Sequence, residues 1–278
     1  MFLSLNPGVV NVTEKDFEKK LLLAKKHGFQ YIEAGAPEIM EYGVEKVKAL
    51  LEKYEMGISC ANLPFHPIQV DDAGFEEAIK ALPAQAAALE AVGCTRCIIW
   101  IFSASDTLEK EENYALHVKR LSAAAAILKE HGIRLGLEFI GPYPARKDRK
   151  HFMHTAEEMM ALAKDCGDNV GLLFDAYHWY TGANNRDVFE HIADANMIVN
   201  VHVNDAAEGD RLEQPDSPRK LPGETGVIDI AFVMDGLRKL GYTGPVVAEP
   251  FSTILPTLED DDARVACVKA CLDKIMAE

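Results

Sequence analysis

The sequence has 278 residues, of which 48% are hydrophobic and 26% charged, and its formal net charge is −15. This composition is typical of a globular protein that buries a large core. The acidic balance argues against nucleic acid or an anionic membrane as a partner, because both require a basic surface. No apolar stretch approaches the roughly 20 residues of a transmembrane helix.

Linkers of low complexity are absent from the chain, so we expect a single domain over residues 1–278. The N-terminus lacks the basic start and the small-residue cleavage site of a secretory signal. The six cysteines are scattered, and the C-x-x-C formed by Cys94 and Cys97 leads into a predicted strand instead of following one. We interpret the cysteines as reduced structural thiols and expect a cytoplasmic location.

Apolar runs and helical periodicities alternate along the whole chain. In chain order, strands are predicted at about residues 2–5, 29–33, 56–61, 97–102, 134–139, 170–175, 197–203 and 244–248. Helices are predicted at about residues 14–27, 37–54, 71–92, 109–131, from 155 onward, 186–193, 229–240 and 260–277. Eight such units favour a closed (β/α)8 barrel over a doubly wound α/β sheet. The first strand–helix turn also lacks the G-x-G-x-x-G of dinucleotide-binding sheets.

Most of the predicted strands end in a side chain that can bind a metal ion or a substrate. In chain order these residues are Asn6, Glu33, Asn62, Glu138, Asp175, His202 and Glu249, with His178 just beyond Asp175. The carboxyl ends of the strands of such a barrel meet at one mouth, where barrel enzymes place their active sites. We therefore expect these side chains to face one another.

The last four strands supply three carboxylates and one imidazole. Carboxylates that lie close together raise one another's pKa unless a cation compensates their charge. Oxygen donors with one imidazole suit Mn²⁺, Mg²⁺ or Co²⁺ better than a thiol-rich zinc site does. We predict one divalent ion, Mn²⁺ before the others, bound by Glu138, Asp175, His202 and Glu249.

Each of these residues also has a structural interpretation when it is taken alone. A glutamate at a strand end is commonly an ion-pair partner, and His202 after an apolar strand could be a core histidine. The recurrence of such residues on successive strands favours the metal site.

Five segments of the second half resemble the xylose isomerase-like superfamily of (β/α)8 barrels, in its sugar phosphate isomerase/epimerase branch. That branch includes ketose 3-epimerases, hydroxypyruvate isomerases and inosose dehydratases. The matching segments are G-L-E at 136–138, F-D-A-Y-H at 174–178, V-H-V-N-D at 201–205, L-P-G-E-T-G-V-I-D at 221–229 and V-A-E-P at 247–250. The first half of the chain is similar in architecture only.

The resemblance implies a role for each matching residue. Glu138, Asp175, His202 and Glu249 would bind the metal, and the two glutamates would also do acid/base work. His178 and Arg219 would contact the substrate.

The sequence also departs from two related groups. Apurinic-site endonucleases of this fold require extra histidines for a trinuclear zinc cluster, and the segment 99–102 supplies none. Ketose 3-epimerases carry an acidic residue shortly after the first metal glutamate, and none occurs in 139–146. These gaps argue against DNA repair and against a simple ketohexose epimerase.

The predicted activity is proton abstraction next to the carbonyl of a keto-sugar or related polyol, with the metal stabilising an enediolate. Isomerisation, epimerisation and elimination share this step. A lyase therefore stays open, such as a keto-inositol dehydratase or a 3-keto-glycoside (including C-glycoside) deglycosidase with a small partner subunit. A non-catalytic sugar-binding barrel is a further alternative, but binding alone does not require two bases. The resemblance also implies a homo-oligomer.

The segment 142–154 is the most basic part of the chain. It is either a solvated charged loop or a lid over the substrate. In the second case Arg146, Arg149 or His151 would reach a hydroxyl or phosphate group, and we name His151 as a substrate-binding candidate.

Overall fold

The computed structural model describes residues 1–277, and its central element is a barrel of eight parallel strands. The barrel strands are β1 (Phe2–Leu5), β2 (Tyr31–Glu33), β3 (Gly57–Asn62), β4 (Arg96–Ile101), β5 (Arg134–Phe139), β6 (Val170–Asp175), β7 (Ile198–Val203) and β8 (Pro245–Ala248). Each strand pairs with its neighbours in sequence, and β1 pairs with β8 to close the barrel. The predicted (β/α)8 barrel is confirmed.

Helices surround the barrel. In the described part of the chain the α-helices are α1 (Phe17–Lys26), α2 (Ala36–Tyr42), α3 (Val44–Tyr54), α4 (Asp72–Ala91), α5 (Lys110–Glu130), α6 (Ala156–Cys166), α7 (Ala176–Thr181), α8 (Ile230–Leu240) and α9 (Asp261–Ala277). Short 3-10 turns lie at Tyr143–Ala145, Val188–Glu190, Ala195–Met197, Arg211–Glu213 and Leu255–Thr257. Within residues 1–277, no helix combines the length and the apolar character that a membrane crossing needs.

Two of the predicted helices are wrong in detail, and one helix was not predicted. The helix expected at 37–54 is two helices, because Gly43 adopts φ +103, which interrupts the helical path. The helix expected at 186–193 is only the 3-10 turn Val188–Glu190. The strand that ends at Asp175 continues directly as α7, the helix that the sequence did not predict.

The switch from β6 to α7 at Asp175 has a local cause. The Asp175 carboxylate accepts hydrogen bonds from the backbone N–H groups of Tyr177 (2.6 Å) and His178 (3.0 Å). These are free donors of the first helical turn, so Asp175 acts as the N-cap of α7. The aromatic residues that follow have a high strand propensity, and the cap overrides it.

A short antiparallel ribbon lies above the barrel mouth, and the sequence did not predict it. Ala104–Ser105 pairs with Lys150–His151. Arg149 supports the ribbon through two hydrogen bonds to the Asp106 carboxylate, at 2.6 and 3.1 Å. The basic segment 142–154 is thus attached to the loop after β4.

Candidate metal centre and surrounding cavity

Four side chains meet at the carboxyl ends of β5 to β8. They are Glu138 in β5, Asp175 at the end of β6, His202 in β7 and Glu249 just after β8. Each offers one ligand atom, and the four atoms lie within 4.8 Å of one another. Strand register explains the arrangement, because Asp175 is paired with His202 and the Glu249 N–H bonds to the Val203 carbonyl.

Three atoms at the centre of this cluster lack hydrogen-bond partners. His202 Nδ1 lies 3.3 Å from Glu138 Oε1, 3.4 Å from Glu249 Oε2 and 3.8 Å from Asp175 Oδ2. Glu138 Oε1 and both ring nitrogens of His202 are buried without a hydrogen bond. Buried polar atoms normally have hydrogen-bond partners. Unpaired oxygen and nitrogen atoms that converge on one point are therefore suited to act as ligands of a divalent ion.

Burial and mutual charge shift the pKa values of the cluster in different directions. Burial, reinforced by repulsion from Glu249, raises the pKa of Glu138 to about 8. Burial also acts to raise the pKa of Glu249, but the charges of His202 and Arg219 outweigh it and lower the value to about 2. Burial acts to lower the pKa of His202, yet Glu249 and Glu138 raise it well above its ordinary value. The cluster thus requires positive charge, which a proton or a metal ion supplies.

Arg219 approaches the cluster from the long loop after β7. Its Nη1 donates to Asp175 Oδ2 at 3.0 Å and to Glu249 Oε2 at 2.9 Å. Its Nη2 donates to Asp216 Oδ1 at 2.9 Å and lies 3.1 Å from His178 Nε2. Arg219 is therefore a fixed cation beside two of the candidate metal ligands.

His178 is fully buried next to the same group. Its Nδ1 accepts a hydrogen bond from the Gly141 N–H at 3.2 Å. Burial, together with the charge of Arg219, lowers the pKa of His178 to about 3. The imidazole is therefore neutral at ordinary pH, and both of its ring nitrogens have protein neighbours.

A cavity of about 470 Å³ opens over the cluster. Glu138, His202, Glu249, His178 and Arg219 are among its lining residues. Its other walls are largely apolar. The structure thus brings together six of the seven predicted site residues. Five of them line the cavity, and the sixth, Asp175, accepts a hydrogen bond from Arg219.

His151 is the predicted residue that does not join the site. It is exposed on the short ribbon and is not part of the cavity lining. Arg149 from the same segment does line the cavity. The role proposed from the sequence for His151 stays a prediction without support from this geometry.

The end residues of the first three strands surround the cavity without joining the cluster. Asn6 and Asn62 line it. Glu33 is buried to the side, where it accepts hydrogen bonds from Asn6 (2.6 Å) and Asn200 (3.0 Å). These amides satisfy a carboxylate whose pKa is raised by burial.

Asp205 is a structural residue for which the sequence reasoning assigned no role. Its carboxylate is fully buried and accepts four backbone hydrogen bonds. The donors are the N–H groups of Ala206 (2.8 Å), Thr225 (2.9 Å), Gly226 (2.7 Å) and Ile228 (2.9 Å). Asp205 thereby closes the loop that carries Arg219. The sequence signal that could have identified Asp205 is its position directly after a predicted strand and before a long loop.

Replacement of Asp205 by alanine is expected to destabilise the protein by about 3–5 kcal/mol, because hydrogen bonds to a charged group contribute about 1.5–3 kcal/mol each and do not add fully. Urea denaturation measures this loss, and limited proteolysis should cleave the freed loop between 206 and 224. Glu208→Ala changes an exposed residue of the same loop and serves as the control. Equal stability of the two variants would contradict the role of Asp205.

The fold and the site define a barrel of α/β type with a carboxylate–histidine centre at its mouth. Residues 21–269 match the xylose isomerase-like TIM barrel family, and the chain belongs to that family. The chain is 24% identical over 242 residues to an inosose isomerase from Bacillus velezensis, a match that covers 85% of this chain and 84% of the relative. A 2-oxo-tetronate isomerase from Haemophilus influenzae is 27% identical over 248 residues, with 85% and 88% covered.

Two solved structures share the whole fold. A xylose isomerase domain protein from Alicyclobacillus acidocaldarius superposes with a TM-score of 0.88 at 26% identity, covering 100% of this chain and 98% of that chain. The IolI protein, described with a zinc atom, superposes with a TM-score of 0.84 at 21% identity, covering 100% and 98%. The relatives of this chain therefore include sugar isomerases, and its fold is that of the family.

Proposed function

We propose that the protein is a divalent-metal-dependent sugar isomerase or epimerase. The observation that carries the proposal is the convergence of Glu138, Asp175, His202 and Glu249, in which Glu138 Oε1 and both ring nitrogens of His202 are buried without a hydrogen bond. These four residues would hold the ion. Three oxygen donors and one nitrogen donor favour Mn²⁺, with Mg²⁺ or Co²⁺ as alternatives. The IolI structure, which shares this fold, contains a zinc atom, and this supports a divalent ion for this chain.

When bound, a divalent ion supplies Lewis-acid stabilisation of the negative charge that develops on a substrate carbonyl oxygen. The protein groups supply the proton transfers. Glu138 and Glu249 line one cavity, from β5 and from the end of β8. Two carboxylates that face the same space can remove a proton from a substrate and return it. One carboxyl removes the proton next to the carbonyl, and the other returns one.

Arg219 and His178 hold the reacting groups in place. Arg219 fixes the Glu249 carboxylate through the 2.9 Å bond to Oε2. His178, neutral and buried, presents its ring to the cavity as a hydrogen-bonding partner for a substrate hydroxyl. The apolar walls of the cavity limit the access of water, which strengthens these electrostatic contacts.

The proposal is tested by hydrogen exchange in D2O. Mn²⁺-loaded protein and a chelator-treated sample are each incubated with an inosose and with a 2-oxo-tetronate, and the products are followed by NMR. We expect deuterium at the carbon next to the carbonyl with the metal-loaded protein only. A dehydrated or unsaturated product would assign the protein to the lyases instead. Equal exchange in both samples, or none with either substrate, would contradict the proposal.

A further inference from the structure

A second, smaller cavity lies at the carboxyl ends of β1 to β3, between the loop after β1 and the start of α2. We call it the side pocket. It shares Asn6 and Asn62 with the cavity over the candidate metal centre, so the two spaces adjoin at these amides. Its volume of about 240 Å³ equals that of several water molecules, since each takes up about 30 Å³ in the liquid. The side pocket therefore has room for one small chemical unit.

The side pocket is lined by side chains of both charges. They are Glu14, Lys15, Lys20, Glu33 and Glu38. An apolar group bound there would leave these donors and acceptors without partners, which is costly. A phosphate or carboxylate group would lie among three glutamates, whose charge opposes it. Hydroxyl groups both donate and accept hydrogen bonds, so a unit rich in hydroxyls suits this lining.

Several of the lining groups are held in place by the protein itself. Lys20 of α1 is 13% exposed and forms an ion pair with Glu38 of α2. Glu14 Oε1 accepts hydrogen bonds from the backbone N–H groups of Lys15 (2.8 Å) and Asp16 (2.9 Å). Groups that are fixed before a ligand arrives lose little freedom when it binds. The side pocket is thus arranged in advance for polar contacts.

Glu33 links the side pocket to the candidate metal centre. Its Oε2 accepts a hydrogen bond from Asn6 Nδ2 (2.6 Å), and its Oε1 accepts one from Asn200 Nδ2 (3.0 Å). Asn200 precedes the candidate metal ligand His202 by two residues in β7, so both lie on the same face of that strand. The side pocket and the metal centre are therefore neighbours, and one molecule can extend from the first space into the second.

We propose that the side pocket binds a second sugar unit of the substrate, and that the substrate is a carbohydrate of at least two units. The reacting unit lies at the candidate metal centre, and the second unit passes Asn6 and Asn62 into the side pocket. The inference rests on the proposed function, because it places the reacting unit at that centre. It adds the substrate class, a glycoside whose second unit is itself a sugar.

The test measures equilibrium binding to the Mn²⁺-loaded protein by calorimetry. The probes are the glucose disaccharides trehalose, sophorose, laminaribiose, maltose, cellobiose and gentiobiose, which differ in their linkage, with methyl β-D-glucopyranoside as the single-unit reference. We expect at least one disaccharide to bind about tenfold more tightly than the reference, a difference of about 1.4 kcal/mol. The ratio of the two affinities is the quantity compared among variants.

Gly35→Leu tests the side pocket by filling it. Gly35 lines the pocket, its φ of −81° is open to any residue, and a Cβ added there would meet Pro37 Cδ at an ordinary 3.6 Å. We expect the leucine variant to lose the preference for the disaccharide. Gly35→Ala also replaces the glycine that precedes α2, but it adds only one methyl group and should retain most of the preference.

Two lysines provide a matched pair of variants. Lys15 lines the side pocket, whereas Lys19 is exposed in the same segment and does not line it. Lys15→Met and Lys19→Met change the net charge equally. We expect Lys15→Met to lower the preference for the disaccharide about threefold or more, because a hydrogen bond to a charged group contributes about 1.5–3 kcal/mol at most sites and somewhat less where the group is exposed. Lys19→Met should retain the preference in full.

A crevice that holds only water is the alternative. Equal affinity for all disaccharides and the reference, no binding of any disaccharide, or a preference that survives Gly35→Leu would overturn the inference. Circular dichroism checks that each variant is folded, and if Gly35→Leu is not, the comparison of Lys15→Met with Lys19→Met decides.

Because binding requires no turnover, this outcome is separate from the D2O experiment. Exchange without a disaccharide preference contradicts only the inference. A disaccharide preference without exchange contradicts only the proposed function.

Discussion

Replacement of Glu249 by glutamine is expected to lower kcat by about 10²–10⁴-fold, the usual contribution of a general acid or base. The amide keeps an oxygen that can face the ion, and its size matches the carboxyl group, so the fold should persist. It cannot accept and release a proton as a carboxylate does. Deuterium exchange into the substrate, followed by NMR, measures the loss directly.

The interpretation of Glu249→Gln requires that the metal centre survive the change. Metal content by elemental analysis should stay near that of the unaltered protein. Glu259→Gln, an exposed residue in the segment after β8, is the control and should retain full activity. Normal exchange by a metal-loaded Glu249→Gln variant would remove the role assigned to this carboxylate.

Replacement of Arg219 by methionine is expected to destabilise the protein by about 3–5 kcal/mol, the typical cost of removing one partner from a buried ion pair. The Arg219 side chain is 2% exposed, and two of its three carboxylate partners, Asp175 and Glu249, are also buried or nearly so. Without the guanidinium, these carboxylates lose their nearest fixed cation. Chemical denaturation in the absence of metal measures the change.

Two comparisons make the Arg219 result specific. Arg238→Met removes a partly exposed pair with Asp235, and surface pairs contribute about 0–1 kcal/mol. Added Mn²⁺ should restore part of the stability of Arg219→Met, because a ligand that binds only the folded state stabilises it. If Arg219→Met is no less stable than Arg238→Met, Arg219 does not compensate the buried carboxylates.

The barrel and the four central residues were predictable because both follow from short-range patterns. An apolar run that is buried on two faces predicts a parallel strand, and the residue at its carboxyl end predicts a position at the mouth. Glu138, Asp175, His202 and Glu249 all obey this rule, and the structure brings their ligand atoms within 4.8 Å.

Features that depend on contacts distant in sequence were not predictable in the same way. The geometry of Arg219 depends on Asp205, which binds backbone groups some 20 residues away. The short ribbon has only two residues in each strand, too few for a recognisable period. The switch from β6 to α7 depends on one capping side chain among residues with high strand propensity.

The apolar part of the cavity lining has a consequence for how such a barrel can change its substrate. Trp100, Phe102 and Phe251 come from β4 and from the connections after β4 and β8, and none of them supplies an atom to the four-donor cluster. Mutations there can alter what the cavity accepts while the proton-transfer groups keep their positions. In this chain, selectivity and reactivity can therefore evolve along separate routes.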